Sequence, residues 1–241
     1  MNKCTRILNC SVSNMVGVKL LSAKANIFSP EALLTEDTID RTIKKIQHMK
    51  VAQRPLTEEN SKRAAVLIPL CLVKDELSLL YTLRNADLKR HKGQVSFPGG
   101  MADPTDDSLR TTALRETEEE IGVCRKDVTV WGEGNIYVGK EFSVLPVVGY
   151  LGKIEVEKMK VNPDEVAEVF TVPLKHFVDP ANCKHTQFRF KGSCYVIPAY
   201  VNAKHRIWGI TALLTHIFLT AFIPDYYRHK VYLIKPIKAA L

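Results

Sequence analysis

The chain has 241 residues, 46% hydrophobic and 25% charged, with a formal net charge of +8. That composition excludes a disordered or fibrous polymer and supplies enough apolar material for one globular domain plus an extension. The six cysteines, Cys4, Cys10, Cys71, Cys124, Cys183 and Cys194, include no C-x-x-C pair, which excludes a zinc site of paired cysteines and favours reduced thiols over a disulfide scaffold.

Taken in chain order, residues 1–30 carry Lys3, Arg6, Lys19 and Lys24, no acidic residue and many Ser and Asn. No apolar run there reaches the length of a secretory core, so the composition predicts a mitochondrial transit peptide or an irregular leader. The last three residues, Ala239-Ala240-Leu241, are not the S-K-L peroxisomal signal. Ser29-Pro30-Glu31 predicts a capped helix whose stripe is Ile39, Ile43, Ile46 and Met49. A polar linker follows, so residues 31–63 read as a helical arm and linker.

The compact domain is expected over 64–223, with a basic tail over 224–241. Its first half opens with two apolar strands around the turn "KDE", then a short strand ending in Pro98-Gly99-Gly100. A helix follows from about Asp107 to Gly122. Strands at 127–138 and 142–151, a short helix near 173–179 and two late strands lead to a last helix over about 209–222. Elements interleave without a regular βαβ period, which predicts a mixed α/β or α+β domain. The uncharged run 207–223 has Thr211, Thr215, Thr220 and His216 at helical spacing, so it reads as a core helix with one wet side rather than a membrane span. Trp208 is expected in the core, and Trp131 is left open.

The informative stretch is "RETEEEIG", 115–122. At about 100° per residue, Glu120 and Glu119 fall within about 60° of Glu116 on either side, whereas Glu118 points away to solvent. Ala113, Leu114, Thr117 and Ile121 form a separate arc suited to core packing. Three carboxylates sharing a face repel one another, and they sit toward the end of the helix whose dipole disfavours negative charge. A divalent cation, Mg²⁺ or Mn²⁺, offsets both penalties. A solvated acidic face is the alternative. Two neighbours favour the cation: glycines at 99–100 that admit close approach, and the basic segment Arg84, Lys89, Arg90, His91 and Lys92. Arg115 can brace Glu119 one turn on or meet a substrate phosphate.

"GGMADPTDDSLRTTALRETEEEIGV" resembles the Nudix box, G-x5-E-x7-R-E-U-x-E-E-x-G-U, through Gly100, Arg115, Glu116, Glu119, Glu120, Gly122 and Val123. There is one extra residue after Gly100, Asp107 stands for the first glutamate, and Thr117 replaces an aliphatic residue. Asp107 reads as a helix cap rather than a metal ligand. "LLYTLRNADLKRHKGQVSFPGG", 79–100, is similar to the signature of the coenzyme A diphosphatase branch, with Asn85 in place of Ser/Ala and Lys89 in place of Arg.

The resemblance implies a Nudix fold, a mixed β-sheet sandwiched between α-helices. It also implies metal-dependent hydrolysis of coenzyme A to 3′,5′-ADP and 4′-phosphopantetheine. On that pattern Glu116, Glu119 and Glu120 hold Mg²⁺ or Mn²⁺. Glu119 or Glu165 takes the proton from water beside Arg115, with Glu168 less favoured. Arg84, Lys89, Gly99 and Gly100 face the substrate. The partner is then a small molecule, with no nucleic acid and no membrane span. Two alternatives stay open: a Nudix hydrolase of another diphosphate (ADP-ribose, NADH or capped RNA), or a Nudix-fold binding module with little turnover.

Overall fold

The computed structural model describes residues 27–49, 62–87, 92–139, 142–190 and 193–234. The expected leader therefore lies almost wholly outside the described residues, as do Lys89, Arg90, His91 and most of the linker.

The sequence between the first cap and Met49 makes two helices, α1 (Pro30–Leu33) and α2 (Glu36–His48), rather than one. The break comes from a second cap, Thr35, whose hydroxyl accepts the Thr38 amide at 3.2 Å. The fully buried side of α2 is Thr38, Thr42 and Ile46, while Ile39 and Ile43 are only partly covered. Asn135 binds the end of this helix, its Nδ2 donating to the carbonyls of Ile46, Gln47 and Met49 at 3.2, 2.8 and 3.3 Å.

The strands are β1 (Arg63–Val73), β2 (Glu76–Arg84), β3 (Val95–Ser96), β4 (Gly99–Met101), β5 (Thr129–Glu133), β6 (Tyr137–Val138), β7 (Ser143–Lys153), β8 (Val166–Pro173), β9 (Cys183–Phe190), β10 (Ser193–Tyr200) and β11 (Tyr232–Ile234). Three further helices are α3 (Leu109–Ile121), α4 (Leu174–Val178) and α5 (Gly209–Phe222). The first eight strands form one mixed sheet along the path β3-β2-β1-β7-β5, with β4, β6 and β8 paired at its sides. β1 and β7 are parallel, and the other pairs are antiparallel. β9, β10 and β11 form a smaller antiparallel sheet.

β1 is apolar on both sides because both faces of the sheet are covered. Ala65, Leu67 and Cys71 pack with Ala113 and Ile121 of α3, while Ala64, Ile68 and Leu70 join the core around α5. The sheet thus lies between α3 on one side and α5 with α2 on the other.

Two expectations about the last helix are corrected. Its polar stripe is buried, not wet. Thr211 donates to the Val95 carbonyl at 3.0 Å, Thr215 bonds the Tyr81 hydroxyl at 3.0 Å, and His216 Nδ1 bonds the Tyr227 hydroxyl at 2.9 Å. These three members of the stripe therefore make internal hydrogen bonds to β3, β2 and the segment after the helix, as burial of such groups requires, whereas the buried Thr220 hydroxyl has no partner among the described residues. Trp208 occupies the cap position of α5 and stays 39% exposed, whereas Trp131 packs on Phe222 with ring centroids 5.5 Å apart. The stretch read as a tail also folds back: Tyr227 is buried, and β11 pairs with β10. No helix among the described residues is long and apolar enough to cross a membrane.

Candidate active site

α3 carries the site. Ser108 caps it, accepting the Thr111 amide at 3.1 Å, and Gly122 closes it at φ 70°, a left-handed conformation that glycine adopts without strain. The cap is therefore Ser108 rather than Asp107. Thr117, Ala113 and Ile121 are fully buried against the sheet, as the helical arc predicts, and this rotation turns Glu116 and Glu120 toward Gly99 and Gly100 of β4. The Thr117 hydroxyl bonds the Ala113 carbonyl at 2.7 Å, so a threonine can occupy an apolar position of the helix.

Glu120 is the buried centre of the site, 1% exposed. Its Oε2 accepts the Gly99 amide at 3.1 Å, and its Oε1 lies 3.4 Å from Arg84 Nη1. Burial pushes its carboxyl up to about 8, against the opposing pull of Gly99 and Arg84. Burial also raises the Glu116 carboxyl, with the Arg115 guanidinium opposing. Carboxylate oxygens of Glu116, Glu120 and Glu165 lie within 4.8 Å of one another. The third member of this trio comes from the loop before β8. Glu119, expected in the metal set, stands outside it, half exposed and held by Arg115 at 2.9 Å.

The two glycines make room for the carboxylates. The Gly99 amide is used by Glu120, and its φ of 149° with Ala65 O 2.3 Å from a would-be Cβ excludes any side chain. A Cβ at Gly100 would lie 2.4 Å from the Glu116 carboxyl carbon. The expected Pro-Gly-Gly turn is instead the start of β4, paired with β1, and the missing side chain at Gly100 is what lets Glu116 sit against it.

Arg115 has five N–H donors, and all are engaged within the protein. Nε and Nη2 grip Asp106 at 2.9 and 3.0 Å, Nη1 reaches Glu116 and Glu119 at 3.0 and 2.9 Å, and Nη2 also reaches the Met101 carbonyl at 3.2 Å. It braces the carboxylates and has no donor left for a phosphate. Arg84 differs: among the described residues its Nε has no partner.

Asp106 was missed by the sequence reading, which matched Asp107 to the box. The signal was the count itself, since five residues separate Gly100 from Asp106, as the box asks, and the extra residue falls between Asp106 and Arg115. Asp106 also accepts from the Thr112 hydroxyl and the Asp103 amide at 2.8 and 2.9 Å. Glu168 belongs elsewhere, paired with Lys204 and with His205 at 2.9 Å. Glu118 faces out and pairs with Arg125 at 2.7 Å.

Residues 61–191 match the NUDIX domain. The chain belongs to the Nudix family. It is 41% identical over 168 residues to the mitochondrial coenzyme A diphosphatase NUDT8 of Mus musculus, a match spanning 68% of this chain and 80% of the mouse protein. It is also 41% identical over 171 residues to the Homo sapiens protein of that name, across 70% of this chain and 72% of the relative. The peroxisomal coenzyme A diphosphatase NUDT7 of Mus musculus is 37% identical over 162 residues, covering 64% of this chain and 68% of its own. The mixed sheet with helices on both faces is thus the fold of a Nudix hydrolase.

Proposed function

We propose that this Nudix hydrolase cleaves the diphosphate bond of coenzyme A or its acyl derivatives with a bound Mg²⁺ or Mn²⁺. The products are 3′,5′-ADP and 4′-phosphopantetheine or its acyl form. The observation that carries the reading is the trio Glu116, Glu120 and Glu165, with oxygens within 4.8 Å. The names of the relatives supply the substrate class.

The residues present fit a hard divalent cation. The donors are all carboxylate oxygens, which such ions prefer. Burial raises the Glu120 carboxyl to about 8, the nearby Glu116 and Glu165 carboxylates add to the rise, and Arg84 at 3.4 Å only partly opposes it, so a cation would be favoured there. When bound, the ion supplies charge neutralisation for the diphosphate and Lewis acidity toward water.

The chain's own groups do the rest. Arg115, locked on Asp106, fixes Glu116 and Glu119 in place. Arg84, whose side chain stays 23% exposed beside Glu120, neutralises a substrate phosphate, and Lys89 is assigned the same task. One oxygen of Glu119 is held by Arg115, and the half-exposed carboxylate accepts the proton lost by the attacking water. Held charges and fixed orientation then carry most of the rate. The mitochondrion is the proposed location, from the leader composition and the NUDT8 relatives.

The test is a substrate panel. Full-length protein is incubated with Mg²⁺ or Mn²⁺ and coenzyme A, acyl-CoA, ADP-ribose, NADH or capped RNA, and products are identified by mass. Formation of 3′,5′-ADP, abolished by Glu120→Gln, is expected. Turnover of ADP-ribose, NADH or RNA in preference to coenzyme A moves the substrate elsewhere in the family. No turnover of any of them overturns the enzymatic reading. Sequencing the N-terminus of protein recovered from mitochondria tests the location, and a chain that retains Met1 has no cleaved leader.

A further inference from the structure

Glu165 differs from the two other carboxylates of the trio in that no helix carries it. It lies in the loop 162–165 that leads into β8, so its position depends on what holds that loop. One end is tied to α3, where the Asn162 amide donates to the Glu120 carbonyl at 2.9 Å. Within the loop, Asn162 Oδ1 accepts the Asp164 amide at 3.1 Å, and its carbonyl accepts the Val166 amide at 3.0 Å. These bonds shape the turn but do not fix the loop against the sheet.

Asn85 does that. It follows the last residue of β2, where the pairing of β2 with β8 slips between Leu83 and Arg84. Such an irregularity ends regular pairing and re-aims the chain. Asn85 then bridges the gap. Its Nδ2 donates to the Pro163 carbonyl at 2.7 Å, and its own amide donates to the Glu165 carbonyl at 2.9 Å. Its Oδ1 accepts the Asp87 amide at 3.1 Å, which fixes the amide plane so that Nδ2 points at the loop. One residue thus grips the Glu165 loop on both sides of Asp164 and also holds the start of the segment that follows Arg84.

We infer that Asn85 is a positioning residue: it docks the 162–165 loop on the end of β2 so that Glu165 completes the carboxylate trio with Glu116 and Glu120. This rests on the reading of that trio as a cation site. Asn85 touches neither the ion nor the substrate and acts through Glu165. Groups that orient a ligand from behind are worth about ten- to a hundredfold in metal affinity.

The test measures Mn²⁺ binding to the full-length, metal-free protein by the loss of the free-ion paramagnetic resonance signal, with no substrate present. Asn85→Ala is expected to weaken Mn²⁺ binding about tenfold. Asn85→Asp keeps the backbone bond and the acceptor for Asp87 but turns the donor to Pro163 into an oxygen that repels that carbonyl, so it also releases the loop if the alanine variant does not fold. In a Glu165→Gln background, Asn85→Ala is expected to add less than about a twofold further loss, since the two residues act as one unit. A residue that merely supported the fold would lower the melting temperature and add its full loss in that background. Unchanged affinity in the aspartate variant and in a folded alanine variant, or a fully additive loss, overturns the inference while leaving the cation site standing. Glu120→Gln separates the two ideas: if it binds Mn²⁺ as the unaltered protein does, the cation site itself is wrong and this inference falls with it.

Discussion

Arg115 and Asp106 form a two-point contact, Nε to Oδ1 at 2.9 Å and Nη2 to Oδ2 at 3.0 Å, with the Asp106 side chain only 4% exposed. The hydrogen bonds from Arg115 hold the Asp106 carboxyl well below the usual carboxylate range. Asp106 is thus the fixed point from which Arg115 reaches across to Glu116 and Glu119. Asp106→Ala is expected to cost about 2–4 kcal/mol of stability, because it leaves a mostly covered guanidinium with two donors unpaired. Asp107→Ala is expected to change stability by less than about 0.5 kcal/mol. Urea unfolding of the two variants checks this, and equal effects would return the first acid of the box to Asp107. A depressed carboxyl contributes stability above its unfolded value near 4, and that contribution disappears as the pH falls. The stability of the Asp106→Ala variant should therefore fall less steeply below pH 4.

The same pair marks where the sequence stopped being legible. The convergence of Glu116 and Glu120, the outward turn of Glu118 and the core arc of Thr117 all follow from a rotation of about 100° per residue, which needs only local sequence. Asp106 and Asp107 differ by one residue in a turn, and turn geometry decides between them. Glu165 was named as a candidate from its charge, but its meeting with α3 depends on a loop closed 45 residues away in the chain from Glu120. The buried stripe of α5 failed as a wet face for a similar reason. Thr211, Thr215 and His216 are polar in any periodicity plot, and only the partners Val95, Tyr81 and Tyr227, brought in by the sheet and the chain end, make them internal.

Gly99 and Gly100 separate fold from function. A Cβ at Gly99 meets the Ala65 backbone at 2.3 Å, and φ is 149° there. Gly99→Ala is expected to cost about 2–3 kcal/mol in strain and displaced backbone. A Cβ at Gly100 first meets the end of the Glu116 side chain, at 2.4 Å from its carboxyl carbon, and that side chain can rotate away. Gly100→Ala should therefore fold with a loss under about 1 kcal/mol, yet lose activity about a hundredfold through the misplaced carboxylate. Thermal melts beside kinetics measure the contrast. A Gly100→Ala protein with full activity would show that Glu116 need not sit where it does.

His216 gives a pH dependence unrelated to the site. Burial lowers its pKa to about 4, and its Nδ1 bonds the Tyr227 hydroxyl at 2.9 Å. The unfolded chain binds this proton near 6.5, so between about 6.5 and 4 the unfolded state carries more protons and stability falls as the pH falls. The contribution is complete above about 6.5 and is on the order of 3 kcal/mol. His216→Gln, which does not titrate, should flatten that part of the stability profile. Parallel profiles for the two proteins between pH 7 and 4 would show that His216 does not carry it.

Glu120 ties stability to the cation. Its folded value is raised by burial to about 8 from an ordinary 4.5. Between those values the folded protein holds the proton that the unfolded chain has lost, so the metal-free protein becomes less stable as the pH rises from about 4.5 to 8. Glu120→Gln has no proton to lose. With chelator at pH 8 it should therefore be more stable than the unaltered protein by about 1–3 kcal/mol. Adding Mg²⁺ or Mn²⁺ should close or reverse the difference. The unaltered protein gains about 2.7 kcal/mol at a hundred times its dissociation constant, and the variant gains little. Activity should fall on the order of a hundredfold or more in the variant, the scale of losing one group that stabilises transition-state charge. Urea titrations with and without metal, run beside the diphosphatase assay, separate these effects. A variant less stable than the unaltered protein in chelator would mean that Glu120 is held by the fold rather than kept in it for an ion.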